Sequence, residues 1–271
     1  MRKPPHILVV IQARMSSSRL PGKIMLPLAG RPLLQRVVER AQHAAVLHST
    51  TIATSTATAD DVIEQFAERI GVPCFRGDAT DLLDRHYQAG LAMDAEVLVK
   101  IPSDCPLIDP KVIDGVIQFY LDRESEFDYV SNLHPESYPY GQDVEVVPMP
   151  TLEAAWREAT QPEDREHTTR FITNRPWRFR IGNVLWEGGR DLSTAERWTV
   201  DYPEDYEFVR SVYEGLCIDE NKIFGVEEVL LFLDSHPDIR SINRQHCGKK
   251  WYLPNGRAVP SHAQTGLKTR P

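Results

Sequence analysis

The stretch His6–Lys23, HILVVIQARMSSSRLPGK, decides the fold. It begins with an apolar, β-branched run typical of a buried strand, and it continues as a loop of small residues that carries three cations. The serine run lets backbone N–H groups approach phosphate oxygens, and Arg14, Arg19 and Lys23 can neutralise several negative charges at once. A strand followed by such a loop is typical of α/β proteins that bind a polyphosphate. The alternative is a solvated turn rich in arginine.

The composition is that of a globular protein with an acidic surplus. The chain has 271 residues, 41% hydrophobic and 26% charged, enough for one large α/β domain or two small ones. With 31 Lys+Arg against 39 Asp+Glu its net charge is −8, which argues against a nucleic-acid partner. No apolar run reaches the ~20 residues that cross a bilayer, and we see no signal peptide. We therefore expect a cytoplasmic protein without a membrane partner.

Short apolar runs alternate with amphipathic segments in the first half of the chain. The runs predict strands at His6–Ile11, Thr51–Thr54, Val72–Phe75, Glu96–Ile101 and Phe127–Ser131. Helical patterns separate them, and one of these begins at Asp109-Pro110 with Asp109 as the candidate cap. The alternation predicts an α/β protein with a mainly parallel central sheet flanked by helices. Such sheets bind ligands at the carboxyl ends of their strands, where the cationic loop lies.

The pattern changes after Ser131. The sequence predicts strands at Asp143–Val147, Trp177–Ile181 and Arg197–Val200, and helices at Thr151–Thr160, Glu163–Asn174 and Pro203–Glu214. We assign residues 1–215 to one domain and residues 216–271 to a helical extension with a polar tail. In the extension an apolar stripe could serve a homodimer, and the tail from Asn255 to Pro271 is expected to be mobile. The stripe consists of Val226, Val229, Leu230 and Leu233.

Two aspartates follow predicted strands and precede prolines. Asp104 stands in Pro102-Ser103-Asp104-Cys105-Pro106, and Asp201 ends Arg197-Trp198-Thr199-Val200-Asp201. Each alone could be a turn or helix-capping residue. Together with a phosphate loop they form a more coherent set, because Mg²⁺ prefers carboxylate oxygens and often bridges to phosphates.

Two further groups are candidates for ligand binding. The loop after the third strand, with Arg76, Gly77 and Arg85, could reach a base or ribose, and structural ion pairing of the two arginines is the alternative. The irregular second half contains polar residues that could bind a second substrate, and among the nine histidines only one has polar neighbours of this kind. This second group consists of Tyr140, Asp143, Glu145, Glu166 and His167.

These elements together resemble the cytidylyltransferase family that contains SpsF and, more distantly, the Kdo and acylneuraminate cytidylyltransferases. The resemblance spans residues 6 to about 215 and rests on motifs in the same order, of which Arg14-x₄-Arg19-Leu-Pro-Gly-Lys23 is the most specific. The others are Ile11-Gln12-Ala13-Arg14, Asp104-Cys-Pro-Leu-Ile-Asp-Pro110, Asp143-Val-Glu-Val146, Arg165-Glu-His-Thr168 and Trp198-Thr-Val-Asp201.

The resemblance implies a Rossmann-like nucleotide-diphospho-sugar transferase fold, with CTP as nucleotide and Mg²⁺ as cofactor. It implies that Asp104 and Asp201 ligate the metal and that Arg14, Arg19 and Lys23 hold the triphosphate; Arg14, Lys23 and the two aspartates would be catalytic. Thr54, Ser55, Arg76 and Gly77 would lie near the cytidine and ribose, and Gln12, Ala13, Pro102 and Ser103 complete the expected nucleotide site.

The chain departs from the family pattern at two places. Pro102-Ser103-Asp104 stands where the family usually has Thr-Gly-Asp, a change that could narrow the nucleotide pocket. Pro139-Tyr140-Gly141-Gln142-Asp143 stands where Pro-Asp-Gly-Leu-Asp is usual, so Tyr140 replaces a carboxylate where the acceptor is expected. The expected reaction is CMP transfer from CTP to a small acidic acceptor such as a sugar acid, a phosphonate or a phosphorylated metabolite. A nucleotide-sugar-dependent glycosyltransferase and a non-catalytic nucleotide-binding protein are the alternatives.

Overall fold

A seven-stranded sheet forms the centre of the protein in the computed structural model, which describes residues 3–217 and 222–249. Its strand order is β5-β4-β1-β6-β8-β7-β9, and β8 runs antiparallel to both of its neighbours. The other pairings in this sheet are parallel, which confirms the predicted fold class. These strands are β1 (Ile7–Gln12), β4 (Ser49–Ser55), β5 (Cys74–Gly77), β6 (Val97–Pro102), β7 (Tyr129–Ser131), β8 (Glu145–Pro148) and β9 (Ile181–Asn183).

Helices cover both faces of the sheet, because side chains along the buried strands alternate between the faces. On β1, Ile7, Val9 and Ile11 face the larger core, while Leu8 and Val10 face the smaller one. The larger core packs against α1 (Leu33–Gln42), α2 (Asp61–Arg69), α4 (Pro110–Leu121), α8 (Pro203–Leu216) and α9 (Val226–Ser235). The smaller core packs against α3 (Leu82–Ala92), α5 (Met149–Glu158) and α7 (Arg170–Thr173).

The remaining elements are short. Strands β2 (Pro27–Leu28) and β3 (Arg31–Pro32) form a separate hairpin, and α6 (Pro162–Glu166) and α10 (Pro237–Ser241) are single-turn helices. The predicted cap of α4 is confirmed, because the side chain of Asp109 accepts a hydrogen bond from the backbone N–H of Lys111.

Three predictions for the second half are wrong in detail. The predicted helix Glu163–Asn174 divides into α6 and α7, because the hydroxyls of Thr168 and Thr169 bond to His86 and Glu145 instead of lying on a continuous helix. The predicted strand Trp177–Ile181 is largely a turn, and the actual strand β9 begins only at Ile181. Its first residue, Trp177, is 81% exposed and packs little against the core.

The third wrong prediction is a strand at Arg197–Val200. This segment makes only an isolated bridge with Tyr140, and the backbone N–H of Val200 donates to Asp104 O at 2.8 Å. It is therefore an extended loop that pairs with other loops at the carboxyl edge of the sheet.

The apolar stripe of the extension is used within the chain. Val226, Val229 and Leu233 are buried in the larger core. The stripe thus gives no support to the homodimer, which stays a prediction, as does the domain division at residue 215. The predicted mobile tail, residues 255–271, lies outside the described residues. Within the described part of the chain, no helix is both long and apolar enough to span a membrane.

Candidate active site

The loop after β1 folds back on itself and brings Lys23 into the interior. The backbone N–H of Gly22 donates to Met15 O at 3.0 Å, and Gly22 adopts a φ of 70°, which favours glycine. The helical turn Lys23–Met25 follows directly. The Lys23 side chain is only 10% exposed, whereas Arg14 and Arg19 remain exposed to solvent.

The ammonium group of Lys23 joins the two predicted metal ligands. Lys23 Nζ lies 2.7 Å from Asp104 Oδ2, 3.0 Å from Asp201 Oδ1 and 2.7 Å from Val200 O. Asp104 follows β6 and Asp201 precedes α8, so residues far apart in the chain meet at one edge of the sheet. Burial opposes the charge of Lys23, but the two carboxylates outweigh it and raise the Lys23 pKa.

The carboxylate of Asp201 lies within a cluster of cations. Arg19 Nη2 approaches its Oδ1 atom at 2.7 Å, and Arg197 Nη2 donates to its Oδ2 atom at 2.9 Å. Burial would raise the pKa of Asp201, but Lys23 and Arg19 outweigh this effect and hold the pKa well below its usual range. Asp201 is therefore ionised at neutral pH, as a metal ligand must be.

Sequence reasoning did not assign a role to the residues that hold Asp201 in place. The buried Arg197 donates to both oxygens of Asp205, at 2.9 and 3.1 Å. Asp205 Oδ2 also accepts from the backbone N–H groups of Asp201 and Tyr202, each at 3.0 Å. The signal for this network was an arginine directly before a buried apolar run and an aspartate in the first turn of a helix.

The pair Asp104 and Asp201 fits the donor set of a magnesium site. Their oxygens already converge on one cation, Lys23 Nζ. Among residues 3–217 and 222–249 no group of three or more His, Cys, Asp or Glu side chains is arranged to hold a metal. Mg²⁺ is commonly held by one or two carboxylates with phosphate oxygens completing its shell, so two carboxylates beside a phosphate loop suffice.

The other predicted nucleotide-site residues lie at the ends of neighbouring strands. Gln12 pairs with Pro102, Thr54 with Arg76, and Ser55 with Gly77 in the sheet. Ala13 and Ser103 continue from Gln12 and Pro102, and Ser103 N–H donates to Gln12 O at 3.2 Å. The set therefore lines one edge, next to the cationic loop, and its contact with a nucleotide stays a prediction.

Several members of this set already have structural partners. Arg76 pairs with Asp61 at 2.6 Å and Glu64 at 2.8 Å, which matches the ion-pairing alternative. Arg85 is buried and donates to the carbonyl oxygens of Asp78 and Ala79. Ser55 Oγ donates to Asp60 Oδ2, and Thr54 is fully buried.

The predicted second-substrate residues divide into three places. Glu145 is buried at the start of β8, where it accepts hydrogen bonds from Lys100 Nζ at 2.5 Å, Tyr129 Oη at 2.8 Å and Thr169 Oγ1. Burial would raise the pKa of Glu145, but Lys100 outweighs burial and lowers the pKa to about 2. His167 is half-buried, burial lowers its pKa, and it lies close enough to feel the charges of Lys100 and Glu145.

Tyr140 and Asp143 lie in the turn that precedes β8 and border a small recess with Glu136. Burial and the nearby charge of Glu145 raise the pKa of Asp143 to about 7, and burial with the charge of Asp143 raises the pKa of Glu136 to about 8. Gly141, with a φ of 113°, allows this turn to pack against the backbone of Trp198 and Thr199. Glu166 is exposed at the end of α6.

Comparison with known proteins identifies the family. A family model described as cytidylyltransferase matches residues 8–228. The chain is 32% identical over 237 residues to the spore coat polysaccharide biosynthesis protein SpsF of Bacillus subtilis (strain 168), an alignment that covers 86% of this chain and 95% of that protein. The chain belongs to the cytidylyltransferase family. The resemblance predicted from the sequence is thereby confirmed.

Solved structures agree with this membership. A cytidylyltransferase from Leptospira borgpetersenii serovar Hardjo-bovis (strain JB197) shares the fold with a TM-score of 0.82 and 27% identity, over 92% of this chain and all of that one. A CMP:2-keto-3-deoxy-manno-octonic acid synthetase complexed with CTP shares the fold with a TM-score of 0.58 and 20% identity, over 78% of this chain and 99% of that one. The matched span of this cytidylyltransferase includes Arg14, Lys23, Asp104 and Asp201.

Proposed function

We propose that the protein transfers CMP from CTP to a small acidic acceptor, with a sugar acid as the first candidate, and releases pyrophosphate. The observation that carries the proposal is the convergence of Asp104 and Asp201 on Lys23, at the end of a loop that also presents Arg14 and Arg19. Carboxylates beside several cations match a ligand that combines a divalent metal with a polyphosphate.

In the proposed reaction an acceptor oxygen attacks the α-phosphorus of CTP. A bond forms between that oxygen and the α-phosphorus, and the bond to the bridging oxygen of the β-phosphate breaks, so pyrophosphate takes the electron pair. Mg²⁺, when bound to Asp104 and Asp201, supplies charge neutralisation on the phosphate oxygens. Lys23, Arg14 and Arg19 align the triphosphate and stabilise the negative charge that moves onto pyrophosphate.

The acceptor is proposed to bind on the β8 side of the sheet. Asp143 and Tyr140 precede β8, and Glu145 begins it, so these residues lie at the same edge as Asp104. Asp143 is near enough to Asp104 for their negative charges to interact, which supports an acceptor site beside the proposed metal ligands. The sugar-acid class is supported by the similarity to the octonic acid synthetase and to a polysaccharide biosynthesis protein.

Pyrophosphate release tests the proposal directly. The enzyme is incubated with CTP, ATP, GTP, UTP or a nucleotide sugar, with Mg²⁺ or EDTA, and with a panel of sugar acids, phosphonates and phosphorylated metabolites. We expect pyrophosphate to appear with CTP and Mg²⁺ only when the correct acceptor is present. Cleavage of a nucleotide sugar without pyrophosphate release would instead establish the glycosyltransferase, and CTP binding without turnover across the panel would favour the non-catalytic alternative.

The variant Asp104→Asn tests the residue assignment. Removing one carboxylate from the metal site should lower kcat by about two orders of magnitude or more, since a charged transition-state contact is lost. The matched control is Asp122→Asn, because Asp122 is an exposed aspartate at the end of α4 whose side chain accepts a hydrogen bond from Gln118, on the surface. Full turnover by a folded Asp104→Asn variant would remove Asp104 from the mechanism.

The cytoplasmic location stays a prediction.

A further inference from the structure

The segment Asn243–Lys249, which we name the clamp segment, covers the network that holds Asp201. Asn243 Nδ2 donates to Arg197 O at 2.8 Å and to Asp205 Oδ1 at 3.0 Å. At the other end of the segment, Lys249 O accepts from Arg197 Nη1 at 3.0 Å. The clamp segment therefore contacts both the backbone and the guanidinium of the arginine that bonds Asp201.

A second contact reaches the residue next to Asp201. The rings of His246 and Tyr202 stack with centroids 3.9 Å apart and an interplanar angle of 5°. The guanidinium of Arg19, one of the loop cations, lies 5.1 Å from the centroid of the same Tyr202 ring. Tyr202 thus connects the clamp segment to the cationic loop as well as to the metal ligand.

Burial makes these contacts consequential. Asn243 is 2% exposed, and the side chains of Arg197 and Asp205 are 2% and 0% exposed. Without the Asn243 side chain, Asp205 Oδ1 keeps Arg197 Nε as a donor but loses the second one, and Arg197 O loses its donor as well. A buried ionic network that loses such bonds is held less firmly in one arrangement, so we expect Arg197 to hold Asp201 less precisely.

We propose that Asn243 and His246 are positioning residues for Asp201, so that the clamp segment belongs to the active site. They act through Arg197, Asp205 and Tyr202 and touch neither substrate nor metal. The inference rests on the proposed function, because it assigns Asp201 to the metal. It goes beyond the family match, which ends at residue 228.

The proposal separates two binding steps. Arg197 fixes Asp201 Oδ2, whereas the loop cations Lys23 and Arg19 contact the other oxygen, Oδ1, and are proposed to bind phosphate directly. A loosened Arg197 contact should therefore weaken metal binding in the CTP complex. Affinity for CTP without metal should remain unchanged. A residue that merely stabilises the fold would affect both steps equally.

Mn²⁺ is the probe for the test, since its free concentration is read by electron paramagnetic resonance without any acceptor. We measure the Mn²⁺ affinity of the enzyme·CTP complex and, in EDTA, the CTP affinity by calorimetry. The variant Asn243→Ala should weaken Mn²⁺ binding about tenfold, equivalent to about 1.4 kcal/mol, with metal-free CTP affinity unchanged. His246→Ala should act in the same direction, and His246→Phe should restore the affinity, because it keeps a stacked ring.

Two controls come from the same part of the chain. Ser241→Ala removes a surface bond to Asp238 O, and Ile242→Val removes one methyl group that packs on the core, so neither touches the contacts of the clamp segment. Asp201→Asn tests the underlying assignment. Thermal unfolding measures whether each variant is folded. If Asn243→Ala does not fold, His246→Ala and His246→Phe test the proposal instead.

The outcomes distinguish the two proposals. The proposal for the clamp segment is supported if Asp201→Asn, Asn243→Ala and His246→Ala all lower the Mn²⁺ affinity and the controls leave it unchanged. If Asp201→Asn alone lowers the Mn²⁺ affinity, the proposal for the clamp segment is overturned and the proposed function stands. If Asp201→Asn binds Mn²⁺ as tightly as the wild type, Asp201 is not a metal ligand, and the proposal for the clamp segment is overturned as well.

Discussion

Replacing Lys23 by Met should convert the ligand-free site into a metal site. The ammonium is 10% exposed and lies 2.7 Å and 3.0 Å from the two carboxylate oxygens that it neutralises. Met keeps the apolar stem and removes the charge. Asp104 and Asp201 are then left as neighbouring negative charges with no ammonium between them.

The magnitude follows from the geometry. Two unit charges about 3 Å apart attract by about 5 kcal/mol at an effective dielectric constant of about 20, and burial of the ammonium opposes part of this. Loss of one partner from a buried pair costs about 3–5 kcal/mol, so we expect the unfolding free energy to fall by that amount without divalent ions. Mg²⁺ at a hundred times its Kd should restore about 2.7 kcal/mol.

Urea unfolding at increasing MgCl₂, with NaCl added to constant ionic strength, measures this effect. The wild-type protein without CTP should respond weakly, because Lys23 already occupies the space between the carboxylates. Lys111→Met is the control, since it removes an exposed lysine elsewhere. Equal Mg²⁺ responses in the wild type and in Lys23→Met would refute the view that Lys23 and the metal compete for the same oxygens.

Three further predictions concern the surrounding residues. The pKa of Asp143 is raised from 3.8 to about 7, so the folded state retains a proton that the unfolded state releases. The unfolding free energy should therefore fall as the pH rises from 3.8 to about 7, by up to about 1.4 kcal/mol per pH unit. Asp143→Asn should flatten this dependence in urea titrations at several pH values. Glu145→Gln should lower the unfolding free energy by about 3–5 kcal/mol because it leaves Lys100 buried without its partner, and the double variant with Lys100→Met should recover part of the loss. Arg19→Ala should weaken CTP binding at least about tenfold, as measured by calorimetry. It should change the unfolding free energy by less than about 1 kcal/mol, because the side chain is 41% exposed. Unchanged CTP affinity would remove Arg19 from the phosphate site.

The nucleotide half of the fold could be predicted because its signals are local. An apolar strand, a loop of small residues and an aspartate at a strand end each have a sequence signature, and the parallel sheet brings such ends to one edge. Asp104 follows β6 as that rule expects, whereas Asp201 reaches the same edge at the end of an extended loop whose Val200 N–H bonds to Asp104 O. The actual partner between them, Lys23, came from a loop whose path depends on the backbone of Gly22.

The second half was harder to predict because its polar residues serve tertiary contacts. Thr168 and Thr169 interrupt a helix to reach His86 and Glu145, partners that are distant in the chain. The segment before Asp201 has strand-like residues, but it bonds to loops. Asn243 shows no sequence pattern that would link it to Arg197, which lies 46 residues earlier in the chain.

The single reversed strand of the sheet has a consequence for evolution. Because β8 runs against β6, it starts at the edge where β6 ends, and the turn that carries Asp143 arrives there from the opposite direction. The proposed acceptor-binding turn therefore belongs to a later part of the sequence than the strands that precede the cationic loop and Asp104, although β8 pairs with β6. Exchange of residues 127–185 between homologous enzymes should therefore change the acceptor specificity while CTP binding is retained. New acceptor specificities could then arise in this fold by replacement of one segment of the sequence.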